Sequence, residues 1–131
     1  MYKGKITTAL TTSVNTNIPF ETDFNTNNNT IYDRTSNEVV ITTAGKYNVS
    51  CMLTVTGLAN AITASLYGNG FAIEDSFASV VPADAADVNT INITDTINVV
   101  NATDLANARI SVRTGQAVTV NSANLIVERV K

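Results

Sequence analysis

Side chains able to act chemically on a substrate are few and scattered in this chain. It contains no histidine, which removes the usual general base and the commonest metal ligand near neutral pH. Two pairs of nearby carboxylates remain, Glu74 with Asp75 and Asp84 with Asp87. Neighbouring acids on a loop are ordinarily solvated, whereas acid–base catalysis needs them opposed across a cleft. The single cysteine, Cys51, falls on an apolar alternation and reads as a small buried hydrophobe, since a reactive thiol needs an electropositive, partly exposed setting. One cysteine can form no intrachain disulfide, so the redox compartment stays open. The expectation is a non-enzyme with no catalytic residue, no cofactor-binding residue, no metal ligand and no cofactor.

Two further patterns carry little. Asp23, Asn25 and Asn27 have the alternating oxygen spacing that opens a calcium loop, but Asn28 stands where the turn needs Gly and Arg34 where it needs Glu, which excludes a helix–loop–helix calcium hand. Asn28, Asn48, Asn92 and Asn101 each begin an Asn-x-Ser/Thr triplet. Asn and Thr make up about 28% of the chain, so such triplets arise from composition.

Charge narrows the classes of partner. Charged residues are 15% of the chain and the net charge is −3, against about a quarter charged in an average domain. The eight basic residues are scattered singly, with no stripe to neutralise phosphates, so no nucleic acid is expected. The opening MYKGKITTALTTSV has no uninterrupted apolar run and no small-residue cleavage site, and no window approaches eighteen apolar residues. Neither a secretory signal nor a membrane anchor is expected.

The elements that must hold any site are strands. Residues 44–56, AGKYNVSCMLTVT, place Tyr47, Val49, Cys51, Leu53 and Val55 on every second position, with Asn48, Ser50, Thr54 and Thr56 between them. A period of two predicts a long strand with one buried and one wet face; only Met52 breaks the wet phase. Shorter strands are predicted over 3–10, 31–33, 38–42, 61–67, 71–77, 90–100 and 105–112, and in the closing run 117–130. Ile18-Pro19-Phe20 supplies apolar anchors around a Pro that suits an edge. Residues 25–29 read as a loop, Gly68-Asn69-Gly70 as a hairpin turn, and 80–88 as a loop with room for one helical turn at 83–86. Asp95 sits on the apolar phase of its strand, where a bend or break is expected. About eight to ten short strands separated by turn signals, with little helix, predict one all-β domain over 1–131, an antiparallel jelly-roll β-sandwich.

The order of features resembles the globular heads of complement component one q and of the tumour necrosis factor superfamily. The matching residues are Ile18-Pro19-Phe20, Ile31-Tyr32-Asp33, the turn, Val39 to Ile41, Ala44-Gly45-Lys46-Tyr47, Leu66-Tyr67-Gly68-Asn69-Gly70 and Leu125-Ile126-Val127-Glu128-Arg129. Asp104 stands where such heads often carry Gly-Asp, with Thr103 in place of the Gly. The resemblance implies a ten-stranded jelly roll assembled as a tight trimer. No collagen-like stalk, transmembrane stem or cysteine pairs accompany it. Short Asn- and Thr-rich heads of this kind are similar to domains of bacteriophage virion proteins and of bacterial surface layers, the former weighing more.

The expected function is therefore structural: a homotrimeric capsid decoration or head-fibre component of a bacteriophage, on the virion surface, seated on the major capsid protein or another virion protein. The residues expected at the trimer interface are Met52, Ala61 and Ala64. The alternative is a head on a phage or bacterial extracellular surface that binds a host receptor or glycan through the loops at 25–29 and 79–88. Exposed Thr, Asn and Ser would offer hydroxyls and amides to a sugar, but the aromatic platform is thin, with no Trp and with Tyr32, Tyr47 and Tyr67 all open to a structural role.

Overall fold

A computed structural model describes residues 1–25, 29–69, 71–101 and 108–130, excepting the side chains of 22, 23, 71, 72, 74 and 75. Its elements are all strands: β1 (Tyr2–Ile6), β2 (Leu10–Thr11), β3 (Thr22–Asn25), β4 (Thr30–Asp33), β5 (Glu38–Ile41), β6 (Gly45–Thr56), β7 (Ile62–Gly68), β8 (Phe71–Val80), β9 (Asn89–Val99), β10 (Arg109–Thr114) and β11 (Thr119–Val130). They form two antiparallel sheets. One has six strands in the order β3-β1-β11-β6-β9, with β2 also paired to β11; the other has five in the order β4-β5-β10-β7-β8.

The alternation in 44–56 does what its period dictates. Tyr47, Val49, Cys51, Leu53 and Val55 are all buried, and β6 lies between β11 and β9, paired along eleven positions with each. Flanking rows in the same sheet come from β11 (Val120, Ala123, Leu125, Val127) and β9 (Ile91, Ile93, Val99), and the facing rows from the five-stranded sheet (Val39, Ile41, Ile62, Leu66, Ile110, Val112). Burying this many branched side chains in one layer between two sheets is the main stabilisation of the fold.

At one end Tyr2 stacks on Tyr32 with ring centroids 5.5 Å apart, and the Phe20 amide donates to the Tyr32 hydroxyl at 3.0 Å. Gly4 faces inward beneath these rings: a Cβ there would lie 2.5 Å from the Tyr2 hydroxyl and 3.1 Å from Phe20. At the other end a buried hydroxyl pair closes the sandwich, Thr12 Oγ1 and Thr114 Oγ1 at 2.9 Å, with the Val118 amide donating to Thr12.

Several expectations change. The stretch 3–10 is two strands, because β11 carries a bulge between Val120 and Ser122. β1 pairs with β11 as far as Ala123, and the chain rejoins it only past the bulge, where Leu10 and Thr11 meet Val120 and Thr119. Asp95 neither bends nor ends β9. That strand runs unbroken at the sheet edge, and the Asp95 carboxylate accepts a hydrogen bond from Ser76 of β8, tying the two sheets between the apolar Ile93 and Ile97. Residues 83–86 form a turn rather than a helical turn. The predicted strand at 105–112 begins outside the described residues, and the Thr103-Asp104 correspondence lies outside them too.

Candidate functional site

The residues first considered for catalysis are occupied elsewhere or lie outside the described side chains. Asp84 and Asp87 cap their own turn: the Ala86 amide donates to Asp84 at 2.8 Å and the Asp84 amide to Asp87 at 3.1 Å. Both are exposed and line no cleft. The side chains of Glu74 and Asp75 are not described. Asn25 turns its amide to Thr30, whose hydroxyl donates back to the Asn25 oxygen at 3.1 Å. Asp23's side chain and Asn27 and Asn28 lie outside the described residues. Cys51 is 2% exposed, and burial pushes its thiol up to about 12, so it stays protonated and inert. Among the described residues no cluster of acidic or sulfur ligands is disposed to hold a metal ion.

What the strands present outward is more distinctive. On the six-stranded sheet, register places Lys5, Asn124, Met52 and Asn92 in one cross-strand row, and Phe24, Lys3, Ile126, Ser50 and Thr94 in the next. Met52 is 39% and Phe24 58% exposed, and Ile126 is half-buried. Met52 and Ile126 are diagonal neighbours, since Met52 pairs with Asn124 and Ile126 with Ser50, within reach of one another. They line a shallow depression of about 510 Å³ with Lys3, Lys5 and Asn124.

The predicted interface set does not gather on that face. Met52 is there, but Ala61 is exposed in the connection leading to β7 of the other sheet. Ala64 is corrected: it is wholly buried between Ile62 and Leu66 on the inward phase of β7 and has no surface to offer a neighbour. The apolar residues that share the outer face with Met52 are Ile126 and Phe24. Ile126 carried the same signal as Met52, an apolar residue on the wet phase of an alternating strand.

The outer face of the five-stranded sheet is built on charge. Arg109 donates to Glu38 at 3.0 Å, Asp33 at 3.2 Å and the Ser36 hydroxyl at 3.3 Å. The guanidinium, with the Thr35 amide next, holds the Asp33 carboxyl below its usual range, and Glu38 followed by Asp33 pushes Arg109 higher still. Arg113 Nε donates to Asn17 Oδ1 at 2.7 Å, Asn17 donates to the Ser36 carbonyl at 2.9 Å, and the Arg113 guanidinium lies 4.2 Å from the centre of the Tyr67 ring. Tyr32 and Tyr47 are structural. The buried Tyr47 hydroxyl donates to the Thr43 carbonyl at 2.5 Å, and burial raises its pKa, opposed by Arg129.

No known family profile matches the sequence, and no curated protein matches it in sequence. In three dimensions the chain is similar to the solved structure of Eiger TNF from S. frugiperda, with a TM-score of 0.72 at 11% identity over 99% of this chain and 91% of that one. The fold is thus a jelly roll of tumour-necrosis-factor type. At that identity the likeness speaks for the fold alone.

Proposed function

We propose that this protein is a non-enzymatic structural head that assembles as a homotrimer through the outer face of its six-stranded sheet and serves on a virion surface, as a capsid decoration or head-fibre component of a bacteriophage. The observation that carries the assembly is the adjacent apolar pair Met52 and Ile126, with Phe24 beyond Lys3 in the same row, on a face otherwise made of hydroxyls, amides and two lysines. Exposed apolar side chains that cluster, rather than scatter, mark interaction surfaces. A closed ring of identical copies covers them without leaving an open end. Lys3, between Phe24 and Ile126, and Lys5, beside Asn124, would lay their stems along the apolar side chains and keep their ammonium groups in water. The virion setting is supported by the low charge and the Asn- and Thr-rich composition.

Two measurements test this reading. Light scattering of the purified chain is expected to give a trimer at micromolar concentration, and a monomer there would remove the assembly. Imaging of native particles with and without the protein is expected to show three-fold density on the capsid or fibre; particles unchanged by its loss would remove the virion role.

A further inference from the structure

We propose that the outer face of the five-stranded sheet carries a binding site for a carboxylate-bearing sugar, gripped between the Arg113 guanidinium and the Phe77 ring. This site lies on the sheet opposite the assembly face and does not depend on the trimer.

Arg113, Ser65 and Phe77 stand in one cross-strand row over β10, β7 and β8. Neighbouring strands are spaced about 4.8 Å, so the two large side chains rise roughly 10 Å apart over the small hydroxyl of Ser65. That gap accepts one pyranose ring. Arg113 is fixed by Asn17 on Nε and by the Tyr67 ring of the adjacent strand, over which its guanidinium lies. Both of its Nη groups have no acceptor among the described residues, and a fixed guanidinium fork matches the two oxygens of a carboxylate. Arg109, the other cation of β10, is already engaged by Asp33 and Glu38, so the charge left free on this strand is that of Arg113.

Two independent features point to a ligand. Phe77 is 65% exposed, an aromatic ring open to water where the C–H face of a sugar can stack. Ser111 is 2% exposed and its hydroxyl has no hydrogen-bond partner. It sits on the same face of β10 between Arg109 and Arg113 and pairs directly with Tyr67. A buried hydroxyl left unpaired costs stability, and a water held beneath the sugar would satisfy it. Thr63 and Ser79, paired in the next row, add hydroxyls beside the gap. The net charge of −3 disfavours polyanions and favours a sugar with a single carboxylate.

The test is ligand-observed NMR titration of the full chain with sialyllactose and methyl galacturonoside, against lactose and the methyl ester of that galacturonoside as neutral counterparts and an acidic dipeptide as a non-sugar carboxylate. The acidic sugars are expected to saturate the protein in the millimolar range, with the neutral ones at least about tenfold weaker, one lost charge-assisted contact being worth about that factor. Arg113→Gln should weaken the acidic sugars by about tenfold or more, and Phe77→Ala by about threefold, from the loss of ring stacking. Phe77→Ala removes only an exposed ring, so its result stands even if Arg113→Gln disturbs the fold. Equal binding of acidic and neutral sugars, no saturation at all, or full binding by folded Arg113→Gln would overturn the proposal. So would dipeptide binding as tight as the sugars' and indifferent to Phe77→Ala, which would assign the site to acidic peptides.

Discussion

The two outer faces of the sandwich are made from the same strand chemistry and finish in opposite states. On the five-stranded sheet Arg109 joins Asp33, Ser36 and Glu38, while Arg113 joins Asn17 and Tyr67. The hydrogen-bonded partners among them lie 71 to 96 residues apart in sequence, so the network bolts the strap before β3 and the β4–β5 turn onto β10. On the six-stranded sheet Lys3 and Lys5 have no ion-pair partner among the described residues, and Met52 and Ile126 lie open between Ser, Thr and Asn. The first face binds most of its charge into a network that fixes its side chains around an exposed ring, Phe77, whereas the second leaves two adjacent apolar side chains, Met52 and Ile126, with no such network over them. The first suits recognition of something small, the second assembly.

The sharpest way to separate inside from outside is to cut neighbouring residues of β6. Leu53→Ala, within the core, should lower stability by about 3 kcal/mol, a cavity of that size having no easy collapse. Met52→Ala on the opposite phase should change a dilute monomer by less than about 0.5 kcal/mol, its effect appearing instead as a loss of the concentration dependence of Tm. Urea denaturation of both variants at two protein concentrations checks this. A comparable loss for the two in the dilute protein would contradict the assignment of faces.

A smaller effect distinguishes the two surfaces. Arg109→Ala strands the nearly buried Glu38 carboxylate, whose side chain is 12% exposed, and should cost about 1.5 kcal/mol, at the low end for hydrogen bonds to charged groups because Arg109 itself is partly solvated. Lys5→Ala should stay within about 0.5 kcal/mol. Chemical denaturation of the pair decides it.

Smaller again is the pH dependence of that clamp. Asp33 is held below its ordinary 3.8, chiefly by Arg109. Its contribution is present in full above the unfolded value and is lost as pH falls through the lower folded one. Acid titration of stability should therefore show an Asp33 component below about pH 4 in the wild type, and that component should shrink in Arg109→Ala, leaving the part due to the Thr35 and Ser36 hydrogen bonds. An unchanged acid profile in the variant would detach Asp33 from Arg109.

Much of the architecture was legible because strands advertise themselves by alternation. Tyr47 to Val55, Val39 with Ile41, and Ile62 with Leu66 each declared their inward phase, and two such layers leave few ways to pack. The phase of β7 already placed Ala64 in the core; its small size suggested an interface, and phase decided against size. What local pattern could not reveal came from distant partners. The break between β1 and β2 is caused by a bulge in β11, more than a hundred residues later. Asp95 on an apolar phase continues its strand because Ser76 of the other sheet reaches it. The Arg109 and Arg113 networks join residues that share no local motif, so neither surface could be drawn from sequence, although Met52 marked one of them by spoiling an alternation.

The account turns on which face is the assembly face, and molar mass measures that directly. Light scattering on the wild type, Met52→Arg and Arg113→Gln at equal micromolar concentration should give three times 13.9 kDa for the wild type and Arg113→Gln, and a single 13.9 kDa chain for Met52→Arg. A wild-type monomer, or a trimer that survives Met52→Arg and falls apart in Arg113→Gln, would contradict it.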